Sequence, residues 1–317
     1  MSDGQSLGSA AQYRLVHVFT LQEGAVPPDG LKPLSIGGRE VRLFRAVLRQ
    51  QMQLHEDGQG NWWLRFFLES GRSQFLFVRF LDVDVADAAR WSRDKPPHCA
   101  ARLAQLAYAR MVDNPSDADQ GELQIRCSDT SQLVRQSRSV KPEQLYEAST
   151  HYGHVSGRGT QFISKSVVRN DDQFRRHVLL HALACAYQLI FEELGNAVSN
   201  ALLQHGGDGT RQAETLRRLY REVASFDAMS FFHQPVMRSN ASTCAAWVRI
   251  DDALGVTESH AELLKQLESV HYICDLEAQR AQEAKEARRT LWLTLLGLLL
   301  TLVSGLSAVD TVRGWLS

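Results

Sequence analysis

Between Thr290 and Val309 the chain reads TLWLTLLGLLLTLVSGLSAV, with no charged residue and no proline. About 20 such residues rise roughly 30 Å as a helix, the thickness of a bilayer's hydrocarbon core. Core helices of soluble domains seldom need that length, so the run is read as a transmembrane helix. Lys285, Arg288 and Arg289 precede it, and only Arg313 follows, beside Asp310. The positive-inside rule then places residues 1–289 in the cytoplasm. Trp292 and Trp315 fall where indole rings favour the two membrane interfaces. The expected location is the inner or plasma membrane, single-pass, with the N-terminal domain cytoplasmic.

Charge and cysteine content agree with that placement. Lys and Arg total 35 against 36 Asp and Glu, for a net charge of −1, so no bulk field draws the chain to nucleic acid. Five cysteines, without a CxxC pair, suit a reducing compartment. The opening MSDGQSLGSAAQ has neither a basic nor an apolar signal region, so no cleaved leader is expected.

The fold class expected is α+β: an N-terminal α/β head with a β-meander, then a long-helix region and one C-terminal transmembrane helix. Residues 1–12 read as disordered, 13–170 as the head, 171–256 as helical, 257–289 as a stalk helix, 290–309 as the span and 310–317 as a short tail. In the head, Tyr13–Thr20 is a first strand. Val41–Leu54, Trp62–Ser70 and Ser73–Val85 form the meander, joined by HEDGQGN and Gly71-Arg72. The third of these is apolar on both faces, which predicts a central strand covered by helices. VADAARWS and Cys99–Val112 read as helices, Gly121–Cys127 as a short strand, and 128–170 as surface loop with a short helix around Pro142–Ala148. Asp171-Asp172 caps a long helix to about Gln204. Two more helices follow, over Thr210–Phe226 and Val236–Leu254, the second closed by Gly255.

A 3.5-residue spacing along the terminal helix visits Leu263, Leu267, Val270, Cys274, Glu277, Ala281, Ala284, Arg288, Leu291, Leu295, Leu298 and Leu302. Apart from Glu277 and Arg288 the seam is apolar or small, a pattern that specifies helix–helix association. Either copies of the chain meet along it, or its cytoplasmic part packs on earlier helices of the same chain. The first alternative predicts a homo-oligomer that can close as a ring, with the lipid bilayer as the other partner and no nucleic acid.

HVLLHALACAYQLIFEELGNAV, LRRLYREVASF, AMSFFHQPV and LLKQLESV…EARRTLWLTLLGLLLTLVSGL together resemble the CorA-like superfamily of divalent-cation channels. The resemblance covers roughly residues 170–309 as a pattern of helices. It implies a cytoplasmic α/β domain, packed long helices and a stalk running into the membrane of a homo-oligomer. The family's channels end their first span in Gly-Met-Asn and have a second span. Here Ser304-Gly305-Leu306-Ser307 stands at that place and only Asp310–Ser317 follow, so magnesium transport does not carry over.

Several residue sets have binding chemistry beside a plainer structural role. Glu277, Arg288, Leu291, Thr294, Leu298, Thr301 and Ser304 would line a pore or stalk axis, or serve helix packing. Arg158, Lys165 and Arg169, around the loop GHVSGRGT, would cradle a phosphate, or form a solvated basic loop. His177, His181 and Cys185, at i, i+4 and i+8, would offer soft-metal ligands, or a polar packing seam. Asp82 and Asp84 would hold a divalent cation, or cap a strand end. A divalent cation is the one cofactor these sets suggest. No HExxH or kinase set is present, which points away from an enzyme. The expected function is an ion channel or ligand-gated membrane effector. The alternative is a tail-anchored scaffold or sensor without conductance, its head binding a partner or a nucleotide-like ligand.

Overall fold

The computed structural model describes residues 13–25, 27–91, 94–111, 120–165, 171–203 and 209–315. The expected disordered segment 1–12 lies outside them. The chain is mixed α+β, built on a nine-stranded sheet. Its N-terminal part gives β1 (Tyr13–Leu21), β2 (Lys32–Pro33), the small hairpin β3 (Ser35–Ile36) and β4 (Arg39–Glu40), and α1 (Ala46–Gln50). Next come β5 (Gln53–Glu56), β6 (Trp62–Phe66), β7 (Gln74–Val83), the short α2 (Ala88–Trp91) and β8 (Cys99–Arg110). Then α3 (Gln120–Arg135), β9 (Tyr146–Glu147), β10 (His151–Ser156) and β11 (Gly159–Ser164) complete the head. Four helices follow: α4 (Asp171–Leu203), α5 (Gly209–Met229), α6 (Ala241–Leu254) and α7 (Val256–Trp315).

The large sheet runs β2-β5-β6-β7-β1-β8-β11-β10-β9. β1 pairs antiparallel with both β7 and β8, while β8 and β11 are parallel, Gly159 opposite Gln105. That close register requires a glycine: Gly159 has φ +140°, and a Cβ there would sit 1.6 Å from the Gln105 carbonyl oxygen. As expected for a strand apolar on both faces, β7 is interior. One sheet face carries Val16, Val18, Leu64, Leu76, Val78, Leu106 and Phe162 and packs with the buried residues of α4. The opposite face carries Leu15, Ala107, Ala109 and Ile163 against Cys127, Leu133 and Val134 of α3.

Four expectations change. Val41–Leu54 is not one strand: Ala46–Gln50 turns as α1, and only Gln53–Glu56 joins the sheet. Of the helix expected over Cys99–Val112, Cys99–Arg110 is strand, although its alanines favour helix locally, and Val112 lies outside the described residues. Those same small side chains at 107 and 109 let α3 lie close on the sheet. Gly121–Cys127 is the first half of a helix, because the apolar spacing Leu123, Cys127, Thr130, Val134 continues past the point where a short strand would stop. Within 128–170, the stretch read as loop holds the rest of α3 and the β10–β11 hairpin.

α4 is the pivot of the second layer. Its apolar side chains from Phe174 to Ala201 are buried, with α5, α6 and α7 packed around it. Tyr187 stacks on Phe67 at 5.1 Å, and its hydroxyl donates to the Ser230 carbonyl at 2.8 Å. Arg72, in the β6–β7 turn, ties Glu193 of α4 to Glu222 of α5. By length and composition α4 is apolar enough to cross a bilayer, but most of that window is covered by the chain itself, as in a core helix.

Burial holds two imidazoles of α4 neutral: the pKa of His177 is pushed down to about 4 and that of His181 to about 3. Both protonate near 6.5 when unfolded, so their neutral burial favours the fold above that pH, and this advantage is lost as pH falls. At pH 5 each costs about 2 kcal/mol. The thermal midpoint of the head should therefore drop steeply between pH 7 and 5, with a flatter slope in His181→Gln. A pH-independent midpoint would contradict the assignment.

Candidate functional site

α7 begins under tight local control. Gly255 ends α6 in the left-handed conformation (φ +65°), its N–H bonding the Asp251 carbonyl at 2.7 Å. The Asp251 carboxylate then accepts from the backbone N–H and the hydroxyl of Thr257, at 2.8 and 2.7 Å. A residue at the end of α6 thus caps α7.

Over its first four turns α7 buries Val256, His260, Leu263, Leu267 and Val270. His260 stacks on Phe231 at 3.8 Å and reaches Asp227 of α5 at 2.9 Å. These positions carry the seam, and they pack against α4, α5 and α6 of the same chain. For residues 256–270 the intrachain alternative therefore holds.

There the helix is open. The full α7, 60 residues, is about 90 Å long. From Glu283 to Thr301 every residue is exposed, including Leu291, Trp292, Leu293, Leu295, Leu296, Leu298, Leu299 and Leu300. Among the residues expected to line an axis, Arg288, Leu291, Thr294, Leu298 and Thr301 lie on this exposed length. Glu277 and Ser304 also belong to α7, with side chains outside the described residues. The threonine hydroxyls are already bonded: Thr290 donates to the Glu286 carbonyl at 2.9 Å and Thr294 to that of Thr290 at 2.8 Å. Thr301 donates to Gly297 at 3.0 Å and Leu298 at 2.8 Å. Each hydroxyl is satisfied by its own helix, as in lipid-facing helices, and requires no aqueous lumen.

The other sets do not assemble as their spacing suggested. Arg158 lies in the β10–β11 turn and Lys165 just past the opposite end of β11, where it pairs with Glu147. A six-residue strand holds them about 20 Å apart. Arg169 lies outside the described residues. Arg158 Nη1 donates to the last carbonyl of α3, that of Arg135, at 3.4 Å, a cation at a helix C-terminus. His177 Nδ1–H donates to the Gln173 carbonyl at 3.0 Å, and its ring packs edge-on to His151. His181 meets the Thr160 hydroxyl, and Cys185 sits in the core with its thiol pKa pushed up to about 12. Asp82 pairs with Arg14 at 3.0 Å, and Asp84 is exposed before the turn Val85–Asp87. Among the described residues no three His, Cys, Asp or Glu side chains come together to hold a metal. The packing-seam and strand-end roles account for both sets.

No protein family, curated protein or solved structure matches the chain.

Because Leu267 and Val270 are core residues, Leu267→Lys with Val270→Lys should unfold the base of the head rather than merely separate copies. Burying an unpaired charge costs several kcal/mol per site. Limited proteolysis and circular dichroism check this. A variant with native helix content and an unchanged melting temperature would contradict the packing.

Proposed function

We propose that this chain is a homo-oligomeric membrane protein of CorA-like architecture, with residues 290–309 crossing the inner or plasma membrane once and the head in the cytoplasm. It acts as an ion channel or ligand-gated membrane effector through that helix. The observation that carries this reading is the exposure of eight consecutive-turn Leu and Trp side chains between 291 and 300. Removing each from water is worth about 1.5–3 kcal/mol, so the set amounts to roughly 10–25 kcal/mol. That equals or exceeds the net stability of a typical domain, roughly 5–15 kcal/mol. An apolar helix without cover of its own is best accommodated by lipid and by other copies of itself.

One span per chain cannot enclose a lumen, so conduction requires several copies around an axis. In such a ring Arg288 would form a basic collar at the cytoplasmic mouth. Leu291, Thr294, Leu298, Thr301 and Ser304 would follow inward at three- and four-residue spacing.

A second reading, a tail-anchored scaffold or sensor without conductance, is favoured by the threonines. Their hydroxyls are satisfied within the helix, so Thr290, Thr294 and Thr301 demand no pore.

Purified full-length protein in liposomes separates the two. The channel reading predicts ion flux that changes severalfold in Thr294→Val with Thr301→Val. A defined oligomer that passes no ions, with or without ligands, would overturn it and leave the scaffold.

A further inference from the structure

At the end of the head where α4 begins, a cleft of about 660 Å³ opens between the β3–β4 hairpin, the first turn of α4 and the approach to α6. That size suits a small molecule. Its walls hold Arg39, Arg42, Arg175 and Arg176 against only two carboxylates, Glu40 and Asp172. Glu40 is already engaged, by Arg42 at 3.0 Å and Arg49 at 3.2 Å. Arg39 and Arg176 are exposed and take part in no ion pair among the described residues.

Arg175 is held differently. Its guanidinium lies over the Trp62 ring at 5.7 Å and the Phe80 ring at 5.9 Å, with Nη1 3.6 Å from Glu56. Its buried Nε has no hydrogen-bond partner. Stacking fixes the plane of the group before any ligand arrives, which reduces the ordering cost of binding. Ser239 and Asn240 bring in the start of α6, where the Asn240 side chain makes no cap hydrogen bond. The first-turn N–H groups of that helix therefore lack their usual side-chain acceptor. On the far wall, Gly37 takes a φ of +55°, so the hairpin presents bare backbone to the cleft there.

We propose that this cleft binds a soluble small molecule bearing phosphate groups, gripped by Arg39, Arg175 and Arg176 and by the N-terminus of α6. Guanidinium forks match phosphate oxygens two at a time, and an uncapped helix start adds N–H donors. The ligand comes from solution rather than from the bilayer. α4 runs 33 residues, about 50 Å, away from the cleft. α7 tracks the distant part of α4, with Leu263 and Gln266 beside Gly195 and Ser199, before it projects from the head. Lipid headgroups around residues 290–309 are thus remote from the cleft. The site stands whether or not the span conducts.

The test is isothermal titration of sodium tripolyphosphate into the full chain in an uncharged detergent. Saturable binding is expected, weakened about tenfold or more by Arg39→Gln with Arg176→Gln, two exposed positions that leave the fold intact by circular dichroism. Arg158→Gln, an exposed arginine elsewhere on the head, should leave the affinity unchanged. Absence of saturable binding, or an equal loss in Arg158→Gln, would overturn the proposal. Doping the micelles with phosphatidylglycerol should not compete, and competition would overturn the assignment to a soluble ligand.

Discussion

Leucine and tryptophan side chains on a helix surrounded by water order that water at a free-energy cost proportional to their area. In α7 this cost is concentrated into less than three turns, where no element among the described residues relieves it. The described residues before 271 build a folded domain whose core clusters lie on both faces of the sheet. The terminal helix begins inside that domain and ends outside it. It is therefore both a structural member of the head and the part of the molecule whose surface demands another environment.

The division falls within one continuous helix. Val256, Leu263, Leu267 and Val270 close the core around α4, while the leucines from 291 to 300 are exposed. Periodicity alone does not separate the two uses, since a seam looks alike whether it meets its own chain or a copy. Asp251 and Gly255 fix how α7 leaves α6, so any force on the stalk reaches the head through a capped junction rather than a slack loop.

Much of the fold was legible where local pattern and tertiary role agree. Strands β6 and β7 alternate and are joined by Gly71-Arg72, α4 starts at an acidic pair, and Gly255 stops α6. The reading failed where burial is polar. Between α3 and the sheet lie buried His17, Gln105, Gln161 and Thr130, with Gln105 donating to the Leu133 carbonyl at 3.2 Å and Thr130 bonding Gln161 at 3.2 Å. Such residues look like loop to any hydrophobicity pattern, and β11, GTQFIS, was missed for that reason although every residue in it is buried. The arginine cleft left no trace in sequence because it joins positions 37–43, 172–176 and 237–240, which only the fold brings together. The histidine stripe was visible, and it lies in the core with His177 bonded to the Gln173 carbonyl and His181 beside the Thr160 hydroxyl.

Whether the apolar end of α7 lives in lipid can be measured by flotation. Full-length protein and a chain ending at Arg289 are each mixed with liposomes and spun through a density gradient at high salt and alkaline pH. Full-length protein should rise with the vesicles, and the shortened chain should stay at the bottom as a folded, detergent-independent protein. Full-length protein that remains soluble and sediments without lipid would contradict the account, because its leucines would then have found cover within the chain.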